Sequence, residues 1–429
     1  MKKIVLCVLG AAFTMILWAA AVLLGTLNGW FHQPLAKRNA APDFITATEA
    51  EIDKQFVGNF AMATFKKGAI ESEKYHSAGK STDRNTVFQV SSLSKWISAV
   101  GVMKLVEAGK LDLDAPVSNY LTRWQLPPSE FNNDEVTIRR LLSHTAGLTD
   151  GLGYSGYEPG KPAQSIEQSL TKASDADEGI SGAVHVGRKP GSAFAYSGGG
   201  YTLLQLVVEE VSGQPFAVFM QEAVFQPLGM VHSTYVWNEN SPYPLAEFYH
   251  KDGTKYTPRH YTALAATSLY TSLSDLALFF QAHLKGPQNE PIGRGVLTPA
   301  TLKRMREAHG QEMGVAIWGL GPVLYATTDD NDFIIGHDGK STPPINTAVR
   351  LNPATGDGII ILETGSPTIA TRLASEWVFW KTGKVDTFLF PMLLPGMTKT
   401  IGIGWLVLLI SVITYFAWKR WWIARQRNT

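Results

Sequence analysis

The chain has 429 residues, 45% of them hydrophobic and 17% charged, with a formal net charge of +1. A single cysteine excludes a disulfide framework and a thiolate metal cluster. With ten scattered histidines and no His-Glu-x-x-His, neither a metal site nor another cofactor is expected.

Met1-Lys2-Lys3 opens into an uncharged run over residues 4–27, long enough as a helix to cross a bilayer. It is longer than the apolar stretch of a usual signal peptide, and no small-x-small cleavage site precedes Asn28. Residues 1–29 are therefore expected to form an uncleaved transmembrane anchor, with a cleaved signal peptide as the rival. Cys7 lies inside this run as a small apolar filler. Residues 30–45, with Pro34, Lys37, Arg38 and Pro42, have the composition of a linker. A helix is expected over 48–56, followed by extended segments over 60–65 and 72–76.

Next comes Phe88-Gln-Val-Ser-Ser-Leu-Ser-Lys-Trp-Ile-Ser-Ala-Val100. Apolar residues at Leu93, Trp96, Ile97, Val100, Met103 and Val106 follow a helical period, and Gly109 is a plausible stop. Ser92 and Lys95 then share one face within the first turn of a half-buried helix, so the amine can reach the hydroxyl. The free N–H groups at the helix start favour an oxyanion there. Ser-x-x-Lys occurs three times, at Ser77, Ser92 and Ser169, and only the second precedes a strongly amphipathic helix. Its bland alternative is a helix-capping serine with a surface lysine one turn on.

Residues 95–310 are mostly helix and loop. Within them Ala193-Phe-Ala-Tyr-Ser-Gly-Gly-Gly-Tyr places Tyr196 at a glycine-rich turn into an amphipathic helix. A phenol there could shuttle a proton if a nearby cation lowered its pKa, although a core tyrosine packing the turn fits the same spacing. From Gly314 to Gly365 the β character returns, over 323–327, 333–336, 347–351 and 358–363. The strand over 333–336 leads into His337-Asp338-Gly339. Glycine there permits close approach of a substrate backbone to a strand edge, and His337 can exchange a proton; a hairpin turn is the alternative. Strands at both ends around a helical middle suggest one sheet completed by both ends of the chain, a helical lobe, and a site between them.

Pro391 and Pro395 mark an expected linker over 391–399, and after it a second uncharged run over 400–418 is expected to cross the membrane. The tail 419–429 is basic, with interfacial tryptophans. Both basic ends point to the cytoplasm, which leaves the domain over 46–390 on the outer side of an inner membrane. The two ends carry seven Lys/Arg and no acid, so the chain between them holds −6 and gives no sign of nucleic-acid binding.

Taken together, Ser92-Leu-Ser-Lys95, Leu141-Leu-Ser-His-Thr-Ala-Gly-Leu148, Tyr196-Ser-Gly198, Val211-Ser-Gly-Gln-Pro-Phe216, Pro227-Leu-Gly-Met230 and Gly336-His-Asp-Gly339 stand in a distinctive order. The set resembles the serine β-lactamase and penicillin-binding-protein-like hydrolases over about residues 45–365. The nearest branch holds class C β-lactamases, D-alanyl-D-alanine carboxypeptidases, D-aminopeptidases and esterases. The resemblance implies an α+β fold, with an antiparallel sheet flanked by helices plus a helical lobe.

It also implies roles. Ser92 would be the acylated nucleophile and Lys95 its activator. Tyr196 would assist proton transfer. His337 would bind a substrate carboxylate or support the proton network, and the backbone N–H groups of Ser92 and of Lys340, after Gly339, would form the oxyanion hole. The implied substrate is a cell-envelope D-amino-acid peptide, a β-lactam or another ester or amide, handled without a cofactor. His144 looks like a fold marker outside the site.

Two positions depart from the family pattern. Gly198 stands where an asparagine is usual, which would orient Lys95 less firmly and bears on amide recognition more than on ester hydrolysis. Asp338 stands where a small or hydroxyl residue is commoner, and could repel a carboxylate or pair with His337.

Ala195-Tyr-Ser-Gly-Gly199 is one residue short of a Gly-x-Ser-x-Gly elbow with Ser197 as nucleophile, but lacks the strand–helix alternation that such a fold needs. Gly151-Leu-Gly-Tyr-Ser-Gly156 matches a dinucleotide fingerprint without a preceding strand, and is expected to be a loop. A catalytically inactive membrane protein that keeps the fold as an envelope-binding module is the alternative function.

Overall fold

The computed structural model describes residues 2–37, 41–151 and 153–427. Eight strands form one antiparallel sheet in the order Ala69–Ser77, Asn59–Lys66, Gly358–Thr364, Ile345–Leu351, Phe333–Ser341, Val323–Thr327, Val315–Trp318 and Gly310–Glu312. The two ends of the domain meet in this sheet, with Phe60 opposite Glu363 and Phe65 opposite Gly358.

Alternation along the strands feeds two cores. Phe60, Met62, Ile359 and Ile361 pack under the helices Ala41–Ile52 and Ile369–Thr382. Ala61, Ala63, Phe65, Ile360 and Leu362 face the helical lobe, which includes Ser94–Glu107 and Gly198–Ser212. The result is the antiparallel sheet flanked by helices, plus a helical lobe, that the sequence led us to expect.

Several boundaries moved. The helix expected over 48–56 spans Ala41–Ile52, so the last part of the expected linker over 30–45 is helical. Pro42 is tolerated in its first turn, and Phe44 is drawn in by stacking on Trp380 at 5.0 Å between centroids. The strand expected to end at Gly336 continues to Ser341, because pairing with Ile345–Leu351 carries on past it, with Gly339 opposite Thr347. His337-Asp338-Gly339 is therefore strand interior, not a turn. The third Ser-x-x-Lys lies in the short helix Ile166–Lys172 and does bury a face, at Ser169 and Leu170.

The largest change concerns residues 391–399, which are not an irregular linker. A single helix, Leu389–Arg427, runs through Pro395 and includes part of the basic tail. It and the helix Lys2–Leu27 are each long and apolar enough to cross a membrane. They lie side by side and antiparallel: the Trp18 indole N–H donates to the Thr400 carbonyl at 3.4 Å, and that of Trp405 to the Met15 carbonyl at 3.0 Å.

Candidate active site

Ser92 occupies a single 3-10 turn, Ser91–Leu93, directly ahead of the helix Ser94–Glu107. Ser91 has a φ of 51°, a left-handed conformation rare for a residue with a Cβ. The turn is held from several directions. Ser91 Oγ donates to the Lys340 carbonyl at 2.8 Å, and Ser94 Oγ donates to the Ser91 carbonyl at 2.6 Å while accepting the Leu269 N–H at 3.0 Å. Strain that the surroundings over-determine in this way fixes where Ser92 Oγ points.

The helix behind it is buried along most of its length, not half-buried. Lys95 is 2% exposed, with Nζ 3.2 Å from Ser92 Oγ and 2.8 Å from the Ala266 carbonyl. Burial lowers its pKa to about 7, against the opposing pull of Asp150. A substantial fraction of the amine is then neutral near pH 7 and able to take the proton of Ser92. The Ala266 carbonyl answers the question raised by Gly198: the lysine is oriented by a main-chain acceptor.

Tyr196 precedes the helix Gly198–Ser212, and its hydroxyl is within bonding reach of Ser92. Lys95 Nζ sits 4.8 Å from its ring centroid. Although 38% of the residue is exposed towards the cleft, dense protein around the phenol raises its pKa, with Ser92 opposing. Tyr196 is thus a neutral donor, not a phenol tuned down by a cation, which corrects the condition set from sequence. Ser197 is 2% exposed; its hydroxyl donates to Asp150 Oδ1 at 2.6 Å and accepts the Gly200 N–H at 2.7 Å. It caps a helix, so no exposed nucleophile elbow forms.

His144, expected outside the site, has its ring 4.4 Å from that of Tyr196 and 4.7 Å from that of Trp318. Its Nδ1 accepts the Ser197 N–H at 3.1 Å, which places the proton of the neutral ring on Nε2. Burial, and then the Lys95 charge, hold its pKa well below the usual value. It stands 52 positions before Tyr196, so no local spacing announces the contact.

On the other side of Ser92 runs Phe333–Ser341. His337 faces the lobe that holds Ser92. Its Nδ1 donates to the Asp338 carbonyl at 2.6 Å, which leaves a lone pair on a buried Nε2. Desolvation first, and then Lys95, press its pKa down to about 3. A neutral acceptor suits a proton network; it gives no positive charge with which to bind a carboxylate.

Asp338 borders the larger space beside Ser92, but its carboxylate is held by partners other than the His337 side chain. Period-two alternation turns it to the other face of the sheet, where it bonds Arg350 at 3.0 Å and the Tyr325 hydroxyl at 2.5 Å.

Gly339 has a different reason from the one expected: a Cβ there would strike the Val90 carbonyl and Thr347 Oγ1. Its bareness lets the strand close onto the turn that holds Ser92. Gly339→Ala is expected to destabilise the fold by about 1–3 kcal/mol and to cut activity more than stability, since the Lys340 backbone is pushed off Ser92. Urea titration alongside kcat/KM on an activated ester tests this, and wild-type values in both would refute it.

Ser92 borders two cavities. One, of about 320 Å³, has a polar lining that includes Lys95, Asp177, Lys340, Ser341 and Thr342. The other, of about 640 Å³, passes Tyr196, Trp318 and His337 and reaches Phe388, Pro391 and Met392 at the base of the C-terminal helix. Among the described residues no group of three or more His, Cys, Asp or Glu could hold a metal ion.

In comparison with known proteins, a family model described as Beta-lactamase matches residues 45–378. PbpX of Bacillus subtilis, named as a penicillin-binding protein, is 31% identical over 207 residues, 47% of each chain. Esterase EstB of Burkholderia gladioli is 35% identical over 159 residues, 36% of this chain and 39% of its own. The match thus spans less than half the length of either relative. Among solved structures, an octameric penicillin-binding protein homologue from Pyrococcus abyssi superposes with a TM-score of 0.63 at 24% identity, over 81% of this chain and 79% of that one.

Proposed function

From the premise that this chain belongs to the beta-lactamase family of serine hydrolases, we propose that it is a membrane-anchored hydrolase acting through an acyl-enzyme on Ser92. The observation that carries this reading is the Ser92–Lys95 pair, 3.2 Å apart, with the lysine desolvated until its pKa lies near 7. An ordinary surface lysine stays charged at neutral pH and activates nothing.

In this mechanism neutral Lys95 takes the proton as Ser92 Oγ attacks the substrate carbonyl. The backbone N–H groups of Ser92 and Lys340 receive the developing oxyanion. Collapse breaks the bond to the leaving alcohol or amine, and the neutral Tyr196 hydroxyl relays the proton to it. Water then attacks the acyl-Ser92 ester by the same route in reverse. His337 accepts a hydrogen bond through Nε2, and Gly339 gives the Lys340 backbone its position.

Substrates on this reading are esters or amides of the cell envelope, D-amino-acid peptides included. The missing side chain at Gly198 weighs towards esters. Residues 1–29 and the apolar part of the C-terminal helix would hold the domain on the outer face of an inner membrane.

The test is labelling of the full chain in mild detergent with a fluorescent fluorophosphonate, followed by peptide mapping. We expect one adduct, on Ser92, abolished in Ser92→Ala and strongly slowed in Lys95→Ala. An adduct elsewhere, or none together with no hydrolysis of any ester, would overturn the proposal in favour of a binding module.

A further inference from the structure

Resting on that reading of Ser92, we propose that the substrate is an amphiphile drawn from the membrane: an ester or amide whose polar part fills the smaller cavity and whose apolar chain lies along the larger one. The two spaces that meet at Ser92 differ in chemistry. The smaller is rimmed by Lys340, Ser341, Thr342 and Asp177. The larger shares Ser92 and Lys340 with it and also takes in Asp338, but its wall beyond them is dominated by Trp318, Phe388 and Met392, and its size is that of a small-molecule site.

The second space also has an address. Phe388, Pro391 and Met392 lie at the start of the helix Leu389–Arg427, one of the two that are long and apolar enough to cross a bilayer. Met392 stands eight residues ahead of position 400, where the uncharged run begins. At the helical rise that is about 12 Å, which sets Met392 about 4–7 Å above a headgroup layer of roughly 5–8 Å. Trp30 and Phe31, just after the other helix, are 72% and 62% exposed, as suits aromatic side chains at a membrane surface. A fully hydrated substrate would gain little from an apolar cavity opening there. A chain leaving the bilayer would exchange one apolar surrounding for another and bring its ester to Ser92.

The experiment uses the full chain in mild detergent and two ester series, each below its own aggregation limit. p-Nitrophenyl acetate, butyrate and octanoate vary the acyl chain, and methyl, butyl and octyl acetates vary the alcohol. One series is expected to show kcat/KM rising about tenfold or more from its shortest to its longest member, because each buried methylene is worth about fourfold. Met392→Asp and Phe388→Ser should collapse that long-to-short ratio by about fivefold or more. A flat response in both series, or a ratio unchanged in both variants, overturns the proposal. Absence of all hydrolysis and of any Ser92 adduct would instead remove the acyl-enzyme reading, and this inference with it.

The membrane route has its own arm. Protein in vesicles should cleave a long-chain ester carried in the same bilayer and spare one held in separate vesicles. Equal cleavage of both would refute delivery from the membrane.

Discussion

Lys95→Met is expected to lower kcat/KM on an activated ester by about 10³-fold, the usual range for loss of a general base, while making the fold more stable. Both effects come from one cause. Lys95 is 2% exposed, and burial drops its pKa from 10.5 to about 7. Between those values the native state binds fewer protons than the unfolded chain, so stability rises with pH across that window. Below pH 7 the protein carries the full cost of a buried ammonium, up to roughly 5 kcal/mol. Methionine removes that cost, and also the bonds to Ser92 and Ala266, so the net gain should be a few kcal/mol at pH 6 and should shrink towards pH 10.

Activity of the wild type should rise with pH through about 7, as the amine loses its proton. Among the described groups facing Lys95, only Asp150 opposes the lowering of its pKa, while Tyr196 and Tyr201 present ring faces and His144 and His337 are held neutral. Urea titrations at pH 6 and 10, with a pH–rate profile, decide the matter. A variant less stable than wild type at pH 6, or a flat profile between pH 6 and 8, would sink the assignment of Lys95 as base.

Arg350→Ala should be the most damaging change away from Ser92, costing about 3–5 kcal/mol. The guanidinium has no solvent exposure; it bonds Asp338 at 3.0 Å, approaches Asp386 at 3.5 Å and lies 3.5 Å from the Tyr325 ring centroid. Asp386 in turn accepts the N–H groups of Phe388 at 2.9 Å and Leu389 at 2.6 Å, at the start of the C-terminal helix. Without the arginine, two buried carboxylates lose their shared counter-charge. Burial already raises the pKa of Asp386 against the pull of Arg350, so it would protonate and loosen its hold on the helix start. Asp338→Asn combined with Arg350→Met should cost less than Arg350→Ala alone, because no charge is left unpaired on Asp338. Urea denaturation measures both, and a stability within 1 kcal/mol of wild type for Arg350→Ala would contradict this account.

The parts of the site legible in the sequence are those where chemistry and spacing coincide. Ser92 and Lys95 are one turn apart, so helical periodicity alone juxtaposes them. The sheet was legible for the same reason, since strands such as Val323–Thr327 announce themselves by β-branched and aromatic runs. What escaped depends on contacts between distant segments. His144 meets Tyr196 only because the helix Gly198–Ser212 packs against its loop, and the left-handed φ of 56° at His144 leaves no mark in the sequence. Asp338 looked like an intrusion into the site because its partner, Arg350, lies across the neighbouring strand. Strand parity, had the strand been extended past Gly336, would have turned the carboxylate from His337 towards Arg350. The helix through 391–399 was hidden by its prolines, which are weaker breakers when one lies near the helix start and neighbouring elements pack the rest.

The antiparallel pair of terminal helices has a consequence for how the enzyme would meet its substrate. A domain tethered by one flexible stalk sweeps a hemisphere. This one is fastened at two adjacent points, and the connection from the N-terminal helix is pinned by His32 to Glu376 at 3.0 Å and by the Lys37 carbonyl to the Trp380 indole at 2.6 Å. With both helices in a bilayer, such a mount has almost no reach and almost no freedom to tilt. The mouth beside Met392 would patrol a fixed depth, and encounter would become a two-dimensional search. Effective concentration would then be set by surface density in the same leaflet, not by the amount of substrate in the surrounding water.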